Sequence, residues 1–261
     1  MTMKKMFAMI LSALVILSCF AGCGSKSDSD LAYITDKGKL IVGITDYAPM
    51  DFKDENGQWT GFDAEFARLV AKELGVEVEF FLIADWSKKV FELDSKNIDC
   101  IWNGMTINEE LLSTCSVSDP YVINAQVVVM KADAVGNYPD AASLTALTFA
   151  VENGSAGQDA AAAIGAADIV AVQDQAAALM EVAAGTADAC VIDITMAYAM
   201  TGEGTSYADL AVGLTLTSEE YGIGFRKGSD VTAKVNEIMK KFMEDGTLDA
   251  LAEKYNLTLA K

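Results

Sequence analysis

Histidine is absent from all 261 residues of this chain. That excludes His-dependent triads, imidazole acid–base catalysis and most zinc sites. Arginine is almost as rare, occurring only as Arg68 and Arg226. Cysteine is sparse: Cys19 and Cys23 lie near the N-terminus, which leaves Cys100, Cys115 and Cys190. Their spacing fits no metal pattern, and an odd number completes no disulfide framework. Cys100 and Cys190 border or sit in apolar runs and read as small buried hydrophobes. Nothing in the sequence supports a Cys100–Cys115 bridge. Positive charge is scarce as well: 38 acidic residues face 19 basic ones, for a net charge of −19. Such a chain repels nucleic-acid phosphates, so a nucleic-acid partner is excluded. After the N-terminal segment no apolar run approaches the roughly 20 residues of a spanning helix.

What is present starts with that segment, MTMKKMFAMILSALVILSCFAGCG. Lys4 and Lys5 give a positive start, Met6 to Phe20 an apolar run, and Ala21 and Gly22 small residues before Cys23. Residues 1–22 thus have a signal-peptide layout, and the run is too short to span a bilayer. Its end resembles a bacterial lipobox. The resemblance implies that Cys23 is acylated and anchors an extracytoplasmic protein to the outer face of the cell membrane, the periplasm in a Gram-negative cell. Residues 23–30 read as a flexible polar tether, with folding expected from about Leu31.

The remaining chain alternates strand and helix signals, the mark of an α/β fold. Lys39 to Ile44 reads as a buried strand, Asn56-Gly57 as a hairpin turn, and Asp63 as the cap of a helix carrying Phe66, Ala67, Val70, Ala71 and Leu74 at helical spacing. Strands are expected at 76–81, 99–102, 125–131, 147–151, 169–172, 190–192 and 221–225. Helices are expected near 87–93, 232–244 and 247–255, with Ser229 or Asp230 and Thr247 as caps. Glu92 to Trp102 and Glu181 to Ile192 echo each other. Each runs from a helix end through a turn to an aspartate (Asp99, Asp188) and an apolar strand. One α/β device used twice accounts for the echo.

Five segments in order now carry a resemblance: Gly43 to Phe52, Gly61-Phe62-Asp63, Asn103 to Thr106, Ser118 to Tyr121, and Glu220 to Gly228. Together they resemble the polar-amino-acid type of solute-binding protein (family 3) that serves ABC importers. The resemblance implies a type II periplasmic-binding-protein-like fold. In it, two α/β lobes joined by a double hinge close over a ligand: lobe 1 at 31–124 plus 218–261, lobe 2 at 125–217. It also implies a monomer that uses no cofactor or metal, performs no catalysis, and partners an ABC permease and ATPase.

By motif, the ligand-binding candidates are Tyr47 and Trp86 as an aromatic sandwich, and the strand-end segment Asn103, Gly104, Met105 and Thr106. Ser155, Ala156 and Gly157 follow as an anion site at a helix start, and Asp193 as partner of an α-ammonium group. Leu111 stands where the family pattern has an arginine that forks onto the ligand's carboxylate, and leucine donates no hydrogen bond. Two ligand classes therefore stay open. One is an amino acid whose carboxylate meets N–H groups at Thr106 and 155–157. The other is an amine without that carboxylate, met by Asp193 and the aromatics, with Asp46 and Glu152 adding negative charge. A dehydratase-type enzyme using Glu109, Glu152 or Asp193 as acid is the rival from another class, and a receptor ectodomain is a second.

Overall fold

The computed structural model describes residues 29–261. The expected signal peptide, the lipidation site Cys23 and the tether up to residue 28 lie outside the described residues. Ser29 and Asp30 do not behave as tether. Ser29 caps helix α1 (Asp30–Lys37), its hydroxyl accepting from Ala32 N–H. Asp30 accepts from the Arg226 guanidinium at 2.9 Å.

The first sheet is built from β1 (Lys39–Ile44), β4 (Glu77–Leu82), β5 (Cys100–Thr106), β6 (Cys115–Val117), β7 (Val122–Asn124) and β13 (Glu219–Arg226), in order β4-β1-β5-β13-β6 with β7 on β13. A small hairpin of β2 (Phe52–Lys53) and β3 (Trp59–Thr60) turns at Asn56-Gly57 as expected. The second sheet is β8 (Gln126–Lys131), β9 (Thr148–Glu152), β10 (Asp168–Val172), β11 (Ala189–Asp193) and β12 (Leu210–Thr215), in order β10-β9-β11-β8-β12. In each sheet three parallel strands are followed by an antiparallel one. The expected two-lobed α/β fold is thus present. The chain passes from the first sheet to the second between β7 and β8 and returns between β12 and β13.

The echo has a physical basis. Asp99 Oδ2 accepts the backbone N–H of Ile41 at 2.8 Å, at the start of β1. Asp188 Oδ2 accepts that of Thr148 at 2.9 Å, at the start of β9. Each aspartate therefore fastens its own strand to the neighbouring one.

Helices cover the sheets: α2 (Phe62–Leu74), α3 (Lys89–Asp94), α4 (Glu109–Thr114), α5 (Ala141–Leu144), α6 (Ala156–Ala163), α7 (Gln175–Ala184), α8 (Ile194–Met200), α9 (Val231–Glu244) and α10 (Thr247–Tyr255). Phe66, Ala67, Val70 and Ala71 of α2 are buried, as their spacing requires. Two cap expectations are corrected, and that of Asp230 is met in position without a side-chain cap bond. Asp63 lies inside α2, which Gly61 caps; its carboxylate instead accepts from Gly104 N–H and the Tyr121 hydroxyl. Asp230 makes no side-chain cap of its own helix; its carboxylate takes Leu31 N–H and the Ser29 hydroxyl. At α10 the cap is Gly246 in the left-handed region (φ 81°), with Thr247 the first helical residue. Cys100, Cys115 and Cys190 are free and buried. Among the described residues no helix is long and apolar enough to cross a membrane.

Candidate functional site

Strands β5, β9 and β11 end at one place, between the lobes. The strand ends, the segment from Trp86 to Val90, and the starts of α4, α6 and α7 enclose a cavity of about 220 Å³. Carboxyl ends of parallel strands are where open α/β sheets bind ligands. The lobes touch around it. Lys89 Nζ donates to Gly154 O at 3.1 Å, and Asn153 Nδ2 to Asp85 Oδ1 at 3.3 Å. Gly154 has φ 72°, and a Cβ placed there would lie 2.8 Å from Ser87 Cα. Only glycine allows both that backbone conformation and that approach.

Lobe 2 makes the cavity acidic. Asp193, at the end of β11, is buried, and its carboxylate accepts from the side-chain amides of Asn124, Gln126 and Gln175. Burial first, then the negative charge of Glu219, pushes it up to about 7. Glu152, at the end of β9, is also buried, and its Oε1 accepts no hydrogen bond among the described residues. Burial, and next the charge of Asp193, pushes Glu152 up to about 8. A buried carboxyl with one oxygen unbonded is held in its protonated form in this way, although Lys89 and Gln175 favour the charged one, and it is poised to ionise against an incoming cation. Glu110 and Asp159 also line the cavity.

Of the residues expected from the sequence, Trp86, Asn103, Gly104, Met105, Thr106, Ser155, Ala156 and Asp193 line the cavity, as does Leu111. Several spend their polar groups inside the protein. Asn103 exchanges two bonds of 2.7 Å with Thr45, Gly104 N–H donates to Asp63 at 2.6 Å, and Thr106 Oγ1 donates to Glu219 at 2.7 Å. Ser155 Oγ caps α6 by accepting from Gln158 N–H. Tyr47 and Gly157 are not among the lining residues. The Tyr47 ring is buried behind Gly104, where a Cβ would meet its Cε1 at 2.5 Å, and its hydroxyl bonds Thr195 at 2.7 Å and Tyr221 at 2.5 Å. Gly157 packs against Val191 O. Neither Asp46 nor Glu109 lines the cavity; Glu110 does, one residue on.

Sequence reading missed Lys89, Glu110, Asp159 and Gln175. Lys89 is the one basic residue lining the cavity, and its Nζ lies 4.9 Å from the Trp86 ring centre. The adjacent lysines after Trp86 were the available signal, but nothing in the sequence separates the exposed Lys88 from the half-buried Lys89. Arg226 lies at the opposite end of β5, on Asp30, Leu93 O, Ile98 O and Asp99. Arg68 donates to Trp59 O. Neither arginine lines the cavity. Among the described residues no group of three or more acidic or cysteine side chains is arranged to hold a metal ion.

The family profile of bacterial extracellular solute-binding proteins, family 3, matches residues 40–258. The L-cystine-binding protein of Escherichia coli K12 is 29% identical over 251 residues, covering 94% of each chain. The ABC transporter glutamine-binding protein of Bacillus subtilis is 29% identical over 268 residues, covering 97% of each. Among solved structures, an ancestral amino-acid-binding protein described as a precursor of cyclohexadienyl dehydratase superposes with a TM-score of 0.80. It is 35% identical, and the match covers 87% of this chain and 99% of that one. With a family profile spanning most of its length and an interlobe cavity at the strand ends, the chain belongs to the bacterial extracellular solute-binding proteins of family 3.

Proposed function

We propose that this protein is the extracytoplasmic binding component of an ABC importer and captures an amino acid between lobe 1 (31–124 and 218–261) and lobe 2 (125–217). Closure of the lobes over the ligand is a hinge-type shift of population. The observation that carries the reading is the pair Glu152 and Asp193 at the ends of β9 and β11, two buried carboxyls facing one cavity. An α-ammonium group placed there gives Glu152 Oε1 its missing partner and favours the charged form of both acids. Trp86 supplies the flat apolar wall for a side chain. Acylated Cys23 keeps the monomer at the membrane beside its permease and ATPase.

The site binds without turnover. Its relatives are named for binding cystine and, as part of an ABC transporter, glutamine, and turnover of prephenate or arogenate by the purified protein would count against this reading. The direct test is a thermal-shift screen of the twenty common L-amino acids and L-cystine. A binder at a hundredfold excess over its dissociation constant adds about 2.7 kcal/mol of apparent stability. If none of these compounds raises the melting temperature at millimolar concentration, the proposal fails.

A further inference from the structure

We propose that Lys89 is the carboxylate anchor of the cleft, so that the site selects a zwitterion over the corresponding bare amine. This rests on the amino-acid reading above and adds the residue that recognises the second charge.

The donors that the cavity offers to an anion are few. Glu110, Glu152, Asp159 and Asp193 all line it, and any carboxylate entering must avoid them. Leu111 lines it without a donor. Gly104 N–H, Thr106 Oγ1 and the Asn103 amide have protein acceptors already. The α6 start offers an anion only neutral N–H groups, those of Ala156 and Gly157, with no cationic side chain beside them in its first turn. Gln158 N–H is capped by Ser155, Gly154 N–H donates to Gln158 Oε1, and Asp159 sits in the first turn. Negative charge there opposes a ligand carboxylate.

Lys89 is the one cationic side chain among the lining residues. Its ammonium has three N–H donors. One goes to Gly154 O at 3.1 Å, and a second has only a long contact of 3.4 Å to Trp86 O. Among the described residues it forms no ion pair, although it is half-buried beside Trp86. Burial lowers its pKa, partly offset by the charge of Glu152. An ammonium in that position gains most from a carboxylate partner, because burial weakens its hydration and leaves an attraction little screened.

The segment is held in place for the task. Asp85 accepts from Ser87 N–H at 3.0 Å and from its hydroxyl at 2.7 Å, and also takes the Asn153 amide of lobe 2. Lys89 thus reaches across the cleft from a fixed base, with the acids of lobe 2 opposite. A ligand bearing an ammonium and a carboxylate on one carbon matches this polarity. A bare amine satisfies only the acidic side.

The test is calorimetry with matched pairs: L-arginine against agmatine, L-lysine against cadaverine, and L-glutamine against 4-aminobutanamide. The pair used is the one whose amino acid gives the largest thermal shift. Wild type is expected to prefer the amino acid by about thirtyfold or more, the usual effect of a desolvated charge partner. Lys89→Met is expected to abolish that preference by weakening the amino acid and leaving the amine within about threefold. Lys89→Arg retains the preference, and Lys89→Gln serves if the Met variant does not fold. An unchanged amino-acid-to-amine ratio in Lys89→Met or Lys89→Gln overturns the anchor while leaving the amino-acid reading intact. Absence of binding by any amino acid to wild type overturns both. A rise in amine affinity alone, with the amino acid unaffected, shows that Lys89 is a built-in competitor for Glu152 and also overturns it.

Discussion

The two lobes share a strand order and a fastening aspartate, yet they use their two ends differently. At the amino ends, lobe 1 invests in charge. Asp99 is buried and receives Lys37 at 2.6 Å and Arg226 at 3.4 Å, besides Ile41 N–H. Its counterpart Asp188 is exposed and forms no ion pair among the described residues. At the carboxyl ends the balance reverses. Lobe 2 brings Glu152, Asp159 and Asp193 to the cleft, while lobe 1 brings Lys89 and Glu110. One architecture thus separates two jobs along its strands. The amino ends secure the lobe, and the carboxyl ends, where backbone groups and loops are free of the ladder, line the cavity.

This asymmetry can be broken at each end. Asp99→Ala leaves Lys37 and Arg226 with one partner fewer in a buried setting, and a loss of about 3–5 kcal/mol is expected in urea unfolding. Equal losses from Asp99→Ala and Asp188→Ala would erase the distinction between the lobes.

A pH effect of similar order belongs to the cleft of lobe 2. Glu152 is raised from 4.5 to about 8 on folding, so between those values the folded chain holds the extra proton. Stability therefore falls as pH rises through that window, by an amount on the order of a few kcal/mol. Glu152→Gln should flatten this part of the stability–pH curve, and an unaltered slope in the variant would refute the assignment. Gly154→Ala adds a Cβ against Ser87 in a left-handed backbone. The expected cost is about 1–2 kcal/mol of closure, read as weaker ligand affinity and a larger radius of gyration by solution scattering. Smallest is Asp188→Ala, where one exposed hydrogen bond is worth about 1 kcal/mol in the same urea measurement.

Periodicity and turn chemistry made the lobes legible. Lys39–Ile44 and Thr247–Tyr255 appear at the residues expected, and the spacing of Asp99 and Asp188 foreshadowed a repeated device. Local rules failed where a short polar side chain had a distant acceptor or donor. Asp63 and Asp230 both sit where a cap is expected and both bond elsewhere, to Gly104 and Tyr121 or to Ser29 and Leu31. The cleft was legible by motif for its strand ends, Gly104 and Asp193 among them. Lys89 was not, because which of two neighbouring lysines turns inward depends on the Asp85 turn and on Gly154 from the other lobe.

The Arg226 cluster also decides how the molecule bears a pull. The chain enters the fold at Ser29 and Asp30, clasped by Asp230 and Arg226 at the amino-end side of the first sheet. Tension on the preceding segment therefore runs into α1, β13 and Asp99 and is absorbed there, at the end of β5 remote from the cleft. The second sheet joins the first only through the chain between β7 and β8 and between β12 and β13, so a pull at Ser29 would not run through its strands.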